Sequence, residues 1–334
     1  MTHCYISLET LMSSNKNPLM KDVAAKAFYG SDKVSAALDV SRQAFFQKGR
    51  QFTKGLSISG VQQKLSLKVD SDTSALVPTT NDGEYILKPS PDGLEACAEM
   101  EHLCMGISRA MGIETAESGL VEFSDGEKAY ITKRYDRTST GKLHQEDLCS
   151  LSDLLKDDKY GSSYEAAGVL LRAVTGNKMA VQNEYFKRVL LSYLVGNDDQ
   201  HLKNFSVIRQ PDNKGLTYDR LTPNYDILCT EFYPTDGIGQ LAMPLLESEK
   251  EGVFSEAHDY FGYYTRQDFM MLAEKIGLRS VAAEKAIKSF GKKLGLANQL
   301  IDRSYVPEHL KEKMKDLVAL RYRAICAEKP QLNE

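Results

Sequence analysis

The chain has 334 residues, 42% of them hydrophobic and 26% charged, with no Trp, 6 Cys and a formal charge of -4. That length suits one large domain or two lobes around a sizeable core, and it excludes a disulfide-stapled miniprotein, a collagen-like chain and a wholly disordered one. The small negative charge gives no global electrostatic reason to bind nucleic acid directly.

The cysteines, Cys4, Cys97, Cys104, Cys149, Cys229 and Cys326, form no C-x-x-C pair. Scattered buried thiols in a reducing compartment are the plain reading. The start, MTHCYISLETLMSSNKN, lacks a basic stretch followed by an apolar one, so no secretory signal is expected. No apolar run approaches the roughly 18 residues of a membrane helix. The expected location is cytoplasmic, with no membrane partner.

In chain order, residues 1–50 carry no clear pattern. In VQQKLSLKV the apolar Val61, Leu65, Leu67 and Val69 largely alternate with polar residues, which predicts a strand. Asn81-Asp82-Gly83 signals a turn before a short strand at Tyr85-Ile86-Leu87. A helical pattern runs from Leu94 to about Met111 and stops at Gly112. GLVEF and KAYITKRY flank Asp125-Gly126 as a hairpin. Residues 51–136 thus read as hairpin, helix, hairpin. Beyond about residue 140 the pattern is mainly helical. Asn183 is the expected cap of a helix that ends at Gly196. Thr265 with Asp268 resembles a capping box, Ser280 opens another helix, and Pro307 suits the first turn of a last one.

The sharpest chemical signal is NDDQHLKNFS, residues 197–206, directly after the helix ending at Gly196. Its D-x-H-x-x-N pattern sets Asp199 and Asn204 at the Asp-to-Asn spacing used in phosphoryl transfer. Asp199 could accept a hydroxyl proton, and Asn204 could offer a neutral oxygen to Mg²⁺. A plain polar loop, with Asn204 capping a turn, fits the motif equally well; Asp198 is a competing carboxylate. In LTPNYDIL, Asp226 could return to the same metal, since Mg²⁺ wants one or two protein oxygens. GLSISGVQQKL is a small-residue bend that could cradle phosphate, though read alone an ordinary turn explains it better; it is neither G-x-G-x-x-G nor a Walker loop. Lys88, closing the apolar run EYILKPS, needs an anion if buried: Glu101 is the candidate and Glu99 the alternative, unless the ammonium simply reaches water. The linear order of these features, rather than any one of them, suggests a bilobal kinase.

With those blocks in place, the sequence resembles the HipA-like serine/threonine kinases, toxins of bacterial toxin–antitoxin systems. SISGVQQKLSL, YILKPS, EMEHLCMGISRAMGI, ITKRYDR, HQEDLCSL, GNDDQHLKNFS and LTPNYDIL are similar to that family's blocks, in order, over about residues 51–230. The short chain and its SIS loop look most like the HipT kinases of tripartite HipBST systems. The resemblance implies an α+β bilobal protein-kinase-like fold, with an ATP-binding lobe over 1–139, a phosphate and serine loop near 55–64, and a helical catalytic lobe over 140–334. It implies Asp199 as catalytic Asp with His201 beside it, and Asn204 and Asp226 as Mg²⁺ ligands. ATP would meet Ser57, Ser59, Gly60, Lys88, Glu101, His201 and Lys203. Lys133 and Tyr135 would meet adenine through their backbones, with Asp136 near the ribose. Ser57 and Ser59 are the implied autophosphorylation sites. The implied substrates are aminoacyl-tRNA synthetases. The implied partners are a HipB-like DNA-binding antitoxin and a HipS-like small protein, with DNA reached only through the antitoxin. Two other readings stay open: a catalytically silent kinase-fold interaction module, and a metal-dependent phosphohydrolase using Asp199, His201 and Asp226.

Overall fold

The computed structural model describes residues 2–12, 17–52, 63–80, 83–138, 141–234 and 239–328. Its packing divides the chain into two units. The first comprises Met1–Ile107, Ala116–Arg137 and Gln299–Lys311; the second comprises Ser108–Thr115, Thr138–Asn298 and Glu312–Glu334. The sequence suggests a single boundary between residues 139 and 140. The structure breaks at 137/138 and exchanges two short segments, because each packs against a core remote in sequence. Ser108 and Thr115 join hydroxyls at 2.7 Å, and Asn224 donates to Ser108 Oγ at 3.1 Å. Tyr305 stacks edge-on against Tyr5 at 4.7 Å, and its hydroxyl donates to the His3 carbonyl.

The first unit is built on a six-stranded sheet in the order β1-β5-β6-β4-β2-β3. The strands are β1 (Ala37–Leu38), β2 (Leu65–Val69), β3 (Leu76–Pro78), β4 (Tyr85–Pro89), β5 (Ser118–Phe123) and β6 (Lys128–Lys133). Only β1 pairs in parallel; the others run antiparallel. The alternation read in LSLKV appears as Leu65 and Leu67 buried and Lys68 exposed. Asp125-Gly126 turns the β5–β6 hairpin, with Gly126 at φ +83°, a left-handed conformation that glycine adopts without steric cost. Residues 1–50, illegible in sequence, contribute α1 (Asp22–Tyr29), β1 and the start of α2 (Arg42–Phe52). Their Phe28, Tyr29, Phe45 and Phe46 join Leu67, Tyr85, Leu87 and Phe123 in one apolar core. Helix α3 (Cys97–Ala110) buries Cys97, Met100, Leu103, Cys104 and Ile107. Asn81 and Asp82 of the expected turn lie outside the described residues.

The second unit is mainly helical. After β7 (Arg137–Thr138), β8 (Gly141–Lys142) and β9 (His144–Asp147) come α4 (Leu148–Leu151), α5 (Tyr164–Val174) and α6 (Met179–Val195). Strands β10 (Ser206–Arg209) and β11 (Arg220–Leu221) complete a three-stranded sheet with β9. Then follow α7 (Glu256–Phe261), α8 (Arg266–Lys275), α9 (Ser280–Arg303) and α10 (Glu308–Ile325), the end of α9 and the start of α10 lying in the Gln299–Lys311 segment of the first unit. The Thr265–Asp268 capping box is present. Asn183, expected to cap α6, lies inside it: the helix starts four residues earlier, with Lys178 at the cap. Tertiary packing overrides the cap signal, since Val181 is buried and Lys178 Nζ donates to the Tyr218 and Asp219 carbonyls at 3.2 and 3.0 Å.

Candidate active site

Two groups of the expected residues are assembled, one in each unit. In the first unit, Lys88 lies on β4, between β6 and β2. Lys88 is 4% exposed, and its ammonium lies 2.7 Å from Glu101 Oε1 on α3 and 5.4 Å from the centre of the Tyr130 ring. The partner is therefore Glu101 rather than Glu99, and the solvent-exposed alternative for Lys88 is excluded. Glu99 has its carboxyl held above the ordinary range by burial. Desolvating both charges is costly, so the pair holds only because the two sit within hydrogen-bond distance.

The KRYD segment leaves β6 with its polar groups already engaged. The Lys133 N–H donates to the Glu117 carbonyl at 2.9 Å, and the Arg134 N–H to Glu84 at 2.7 Å. Asp136 is buried, and its two oxygens accept from Arg134 at 3.0 Å each, with Arg137 on one of them at 3.0 Å. The Asp136 carboxylate, expected near a ribose, is thus paired with guanidinium groups. Ser57, Ser59 and Gly60 lie outside the described residues.

In the second unit, the loop after α6 is knitted by its own amides. Gly196 ends the helix at φ +64°, and a Cβ there would meet Glu231 Oε2 at 2.8 Å and Leu317 Cδ2 at 2.9 Å, so glycine is strongly favoured. Asn197 Oδ1 accepts from the Asp199 N–H at 3.1 Å, while its Nδ2 donates to Gln200 Oε1 at 3.1 Å. Asn204 Nδ2 donates to the Asp199 carbonyl at 2.8 Å, which closes the D-x-H-x-x-N turn on itself. Tyr164 pins the loop from below by donating to the Gln200 carbonyl at 2.9 Å. The Asp199 side chain remains half-exposed. Asp198, the competing carboxylate, has its own N–H anchored to Thr230 Oγ1 at 2.7 Å.

Three side chains meet one oxygen of Asp199. The Tyr160 hydroxyl donates to Oδ1. His201 Nε2 lies 3.6 Å from Oδ1, and Lys159 Nζ lies 4.0 Å from it. His201 is buried, and burial holds its imidazole below the ordinary value, partly countered by Asp199 and, more weakly, by Asp226. Both carboxylates therefore act on one ring. Burial, and then the bond to Asp199, push the Tyr160 phenol well above its usual range. Lys203 pairs with Asp147 at 3.2 Å, and Asp147 also caps α4 through the Ser150 N–H at 2.9 Å.

Asp226 sits at φ +53°, in the left-handed region that Asp tolerates better than most residues. Its approach is fixed by buried polar groups. Arg188 of α6 donates to the Thr222 carbonyl at 2.6 Å, and the Asn224 N–H donates to the Glu114 carbonyl at 2.7 Å. The Tyr225 hydroxyl meets Ser206 Oγ at 2.5 Å and the Lys203 carbonyl at 2.8 Å. No group of three or more His, Cys, Asp and Glu suited to a metal occurs among the described residues. An amide oxygen and a carboxylate, the donors that Asn204 and Asp226 carry, are of the type a hard cation takes when water and phosphate oxygens fill its other positions. With the Asn204 amide nitrogen committed to Asp199, its oxygen is the end left to coordinate.

A family model described as the HipA-like C-terminal domain matches residues 56–296. The chain belongs to the HipA-like family. A Haemophilus influenzae protein named "Putative kinase" is 33% identical over 357 residues, covering 100% of this chain and 99% of the relative. The serine/threonine-protein kinase toxin HipA of Shewanella oneidensis is 26% identical over 210 residues, 57% of this chain and 46% of that protein. Among solved structures, a Shewanella oneidensis MR-1 complex of HipA, HipB and operator DNA superposes with a TM-score of 0.62 at 19% identity. The match covers 81% of this chain and 65% of that one, so the HipA-like chain described here spans less than two thirds of it. The likeness establishes the fold: the mixed, kinase-like architecture expected from the sequence is the one found.

Several residues of this site were not singled out in the sequence. Tyr160 and Lys159 lie about 40 positions before the motif, in a polar stretch with no periodicity. Asn197 and Gln200 sit inside the motif block, where two amides flanking a carboxylate pair were a readable hint. No described helix is long and apolar enough to cross a membrane.

Proposed function

We propose that this HipA-like chain is an ATP-dependent serine/threonine protein kinase acting as a toxin of a toxin–antitoxin system. The observation that carries the reading is the closed turn in which Asn204 Nδ2 bonds the Asp199 carbonyl, leaving a half-exposed carboxylate and an amide oxygen at fixed separation. In this reading Asp199 orients an acceptor hydroxyl and takes its proton, with His201 beside it. Asn204 and Asp226 hold Mg²⁺, which would neutralise phosphate charge when bound. Lys88, kept in place by Glu101, binds ATP phosphates, with Ser57, Ser59, Gly60, His201 and Lys203 as further contacts. Lys133 and Tyr135 serve adenine through backbone groups; the occupied Lys133 N–H leaves its carbonyl for that task. Asp136 acts on the ribose side, its carboxylate oriented by Arg134 and Arg137. Rate enhancement comes from positioning and electrostatics.

The finer assignments extend this proposal. The SIS loop favours the HipT type, with Ser57 and Ser59 as autophosphorylation sites. The substrate class is an aminoacyl-tRNA synthetase. A HipB-like antitoxin and a HipS-like protein are the partners, and DNA is reached through the antitoxin. The test is incubation of purified chain with radiolabelled Mg-ATP and a cell lysate, followed by mass spectrometry of labelled proteins. A labelled synthetase, and label on Ser57 or Ser59, is the expected result. Absence of any protein labelling, with free phosphate released instead, would replace the kinase by a phosphohydrolase.

A further inference from the structure

The Tyr160 hydroxyl sits on the same oxygen of Asp199 that approaches His201 and Lys159. We propose that Tyr160 is a gate on Asp199: its hydroxyl holds the place of the acceptor hydroxyl and must leave before phosphoryl transfer. The inference rests on Asp199 being the group that takes the acceptor proton.

Four features of the helical unit support the gate. First, the contact is chemically the one an acceptor makes, an oxygen-bound proton presented to a carboxylate oxygen. Secondly, the phenol stays protonated, because burial and the bond itself both raise its pKa; it is a donor under all ordinary conditions. Thirdly, Tyr160 would break no helical hydrogen bond on swinging its side chain away. It is 42% exposed, on a loop between the short turn Lys156–Asp158 and Gly161, rather than inside a helix. Fourthly, the ring has its own anchors. The Lys159 ammonium lies 4.8 Å from its centre, and His201 meets it edge-on at 5.0 Å. Deleting only the hydroxyl therefore leaves the ring seated and removes the competition.

The gate makes the resting site economical. Lys159, His201 and the phenol together satisfy Asp199 until an acceptor hydroxyl of equal chemistry displaces the phenol. Water, like a protein hydroxyl, must first displace the phenol, so the gate slows ATP hydrolysis. A hydrogen bond to a charged group corresponds to roughly a tenfold or larger change in an equilibrium.

The experiment compares the full wild-type chain with Tyr160→Phe and Tyr160→Leu, using Mg-ATP as the only substrate and water as acceptor. Phosphate release at saturating ATP is expected to be roughly tenfold faster in both variants, with the KM for ATP unchanged. Circular dichroism melts check that both variants fold; Phe removes a single atom. Equal or slower release by both variants, with release by the wild type, overturns the gate and leaves the kinase reading standing. A slower Phe variant alone makes Tyr160 a positioning residue for Asp199 and also overturns the gate. No release by any of the three proteins overturns the gate, whereas the kinase reading stands or falls on protein labelling.

Discussion

The Lys88 ammonium and Glu101 Oε1 lie 2.7 Å apart, with 5% and 4% of their side chains exposed. Removing one partner leaves the other charge buried, whereas removing both exchanges the pair for apolar contact. Lys88→Met or Glu101→Leu alone is expected to lower stability by about 3–5 kcal/mol, and the double variant by clearly less than the sum. Urea unfolding of the three variants measures the coupling. Strict additivity would show that the two charges do not sustain each other.

Asp199 offers the opposite case, a half-exposed carboxylate whose loss should spare the fold. Asp199→Asn keeps a hydrogen-bond acceptor for Tyr160 and removes the base. Phosphoryl transfer is expected to fall by at least about 100-fold. The melting temperature should stay near that of the wild type. Retained transfer would reassign the proton acceptor.

At Gly196 the backbone and its surroundings agree. The positive φ disfavours any Cβ, and the added atom would collide with Glu231 and Leu317. Gly196→Ala is expected to cost about 2–4 kcal/mol, from the left-handed backbone and from overpacking. Because the Gly196 carbonyl also accepts from the Thr230 N–H at 3.0 Å, the damage should reach the loop bearing Asp199. Thermal melts and phosphate release together report both effects.

His201 gives a pH signature. Burial holds its pKa below the ordinary 6.5, so the unfolded chain takes up the proton first as pH falls. That linkage makes the folded state lose stability as pH drops from about 6.5 toward the lower folded value, and leaves it undisturbed above. His201→Gln lacks the term. Its urea midpoint should therefore fall less than that of the wild type between pH 7.5 and pH 5.5. Parallel curves would mean that His201 titrates alike in both states.

Much of the site was legible because its residues are close in sequence. The strand before Lys88, the helix bearing Glu101, the hairpin at Asp125-Gly126 and the turn from Asp199 to Asn204 each obey a local rule. What escaped depends on contacts remote in sequence. Phe28 and the pair Phe45 and Phe46 show no clear pattern because they reach the sheet core from two separate short helices. Tyr160 meets Asp199 across 39 positions, with no pattern linking them. The cap assigned to Asn183 was a true local preference defeated by Val181 and Lys178 in tertiary packing. The boundary near residue 139 could not show that residues 299–311 return to the first unit.

That return governs the order of events during synthesis. Tyr305 closes the face around Tyr5 and His3, yet it is translated some three hundred residues after them. The Tyr5 ring therefore lacks its Tyr305 neighbour until residue 305 has been made and can fold back.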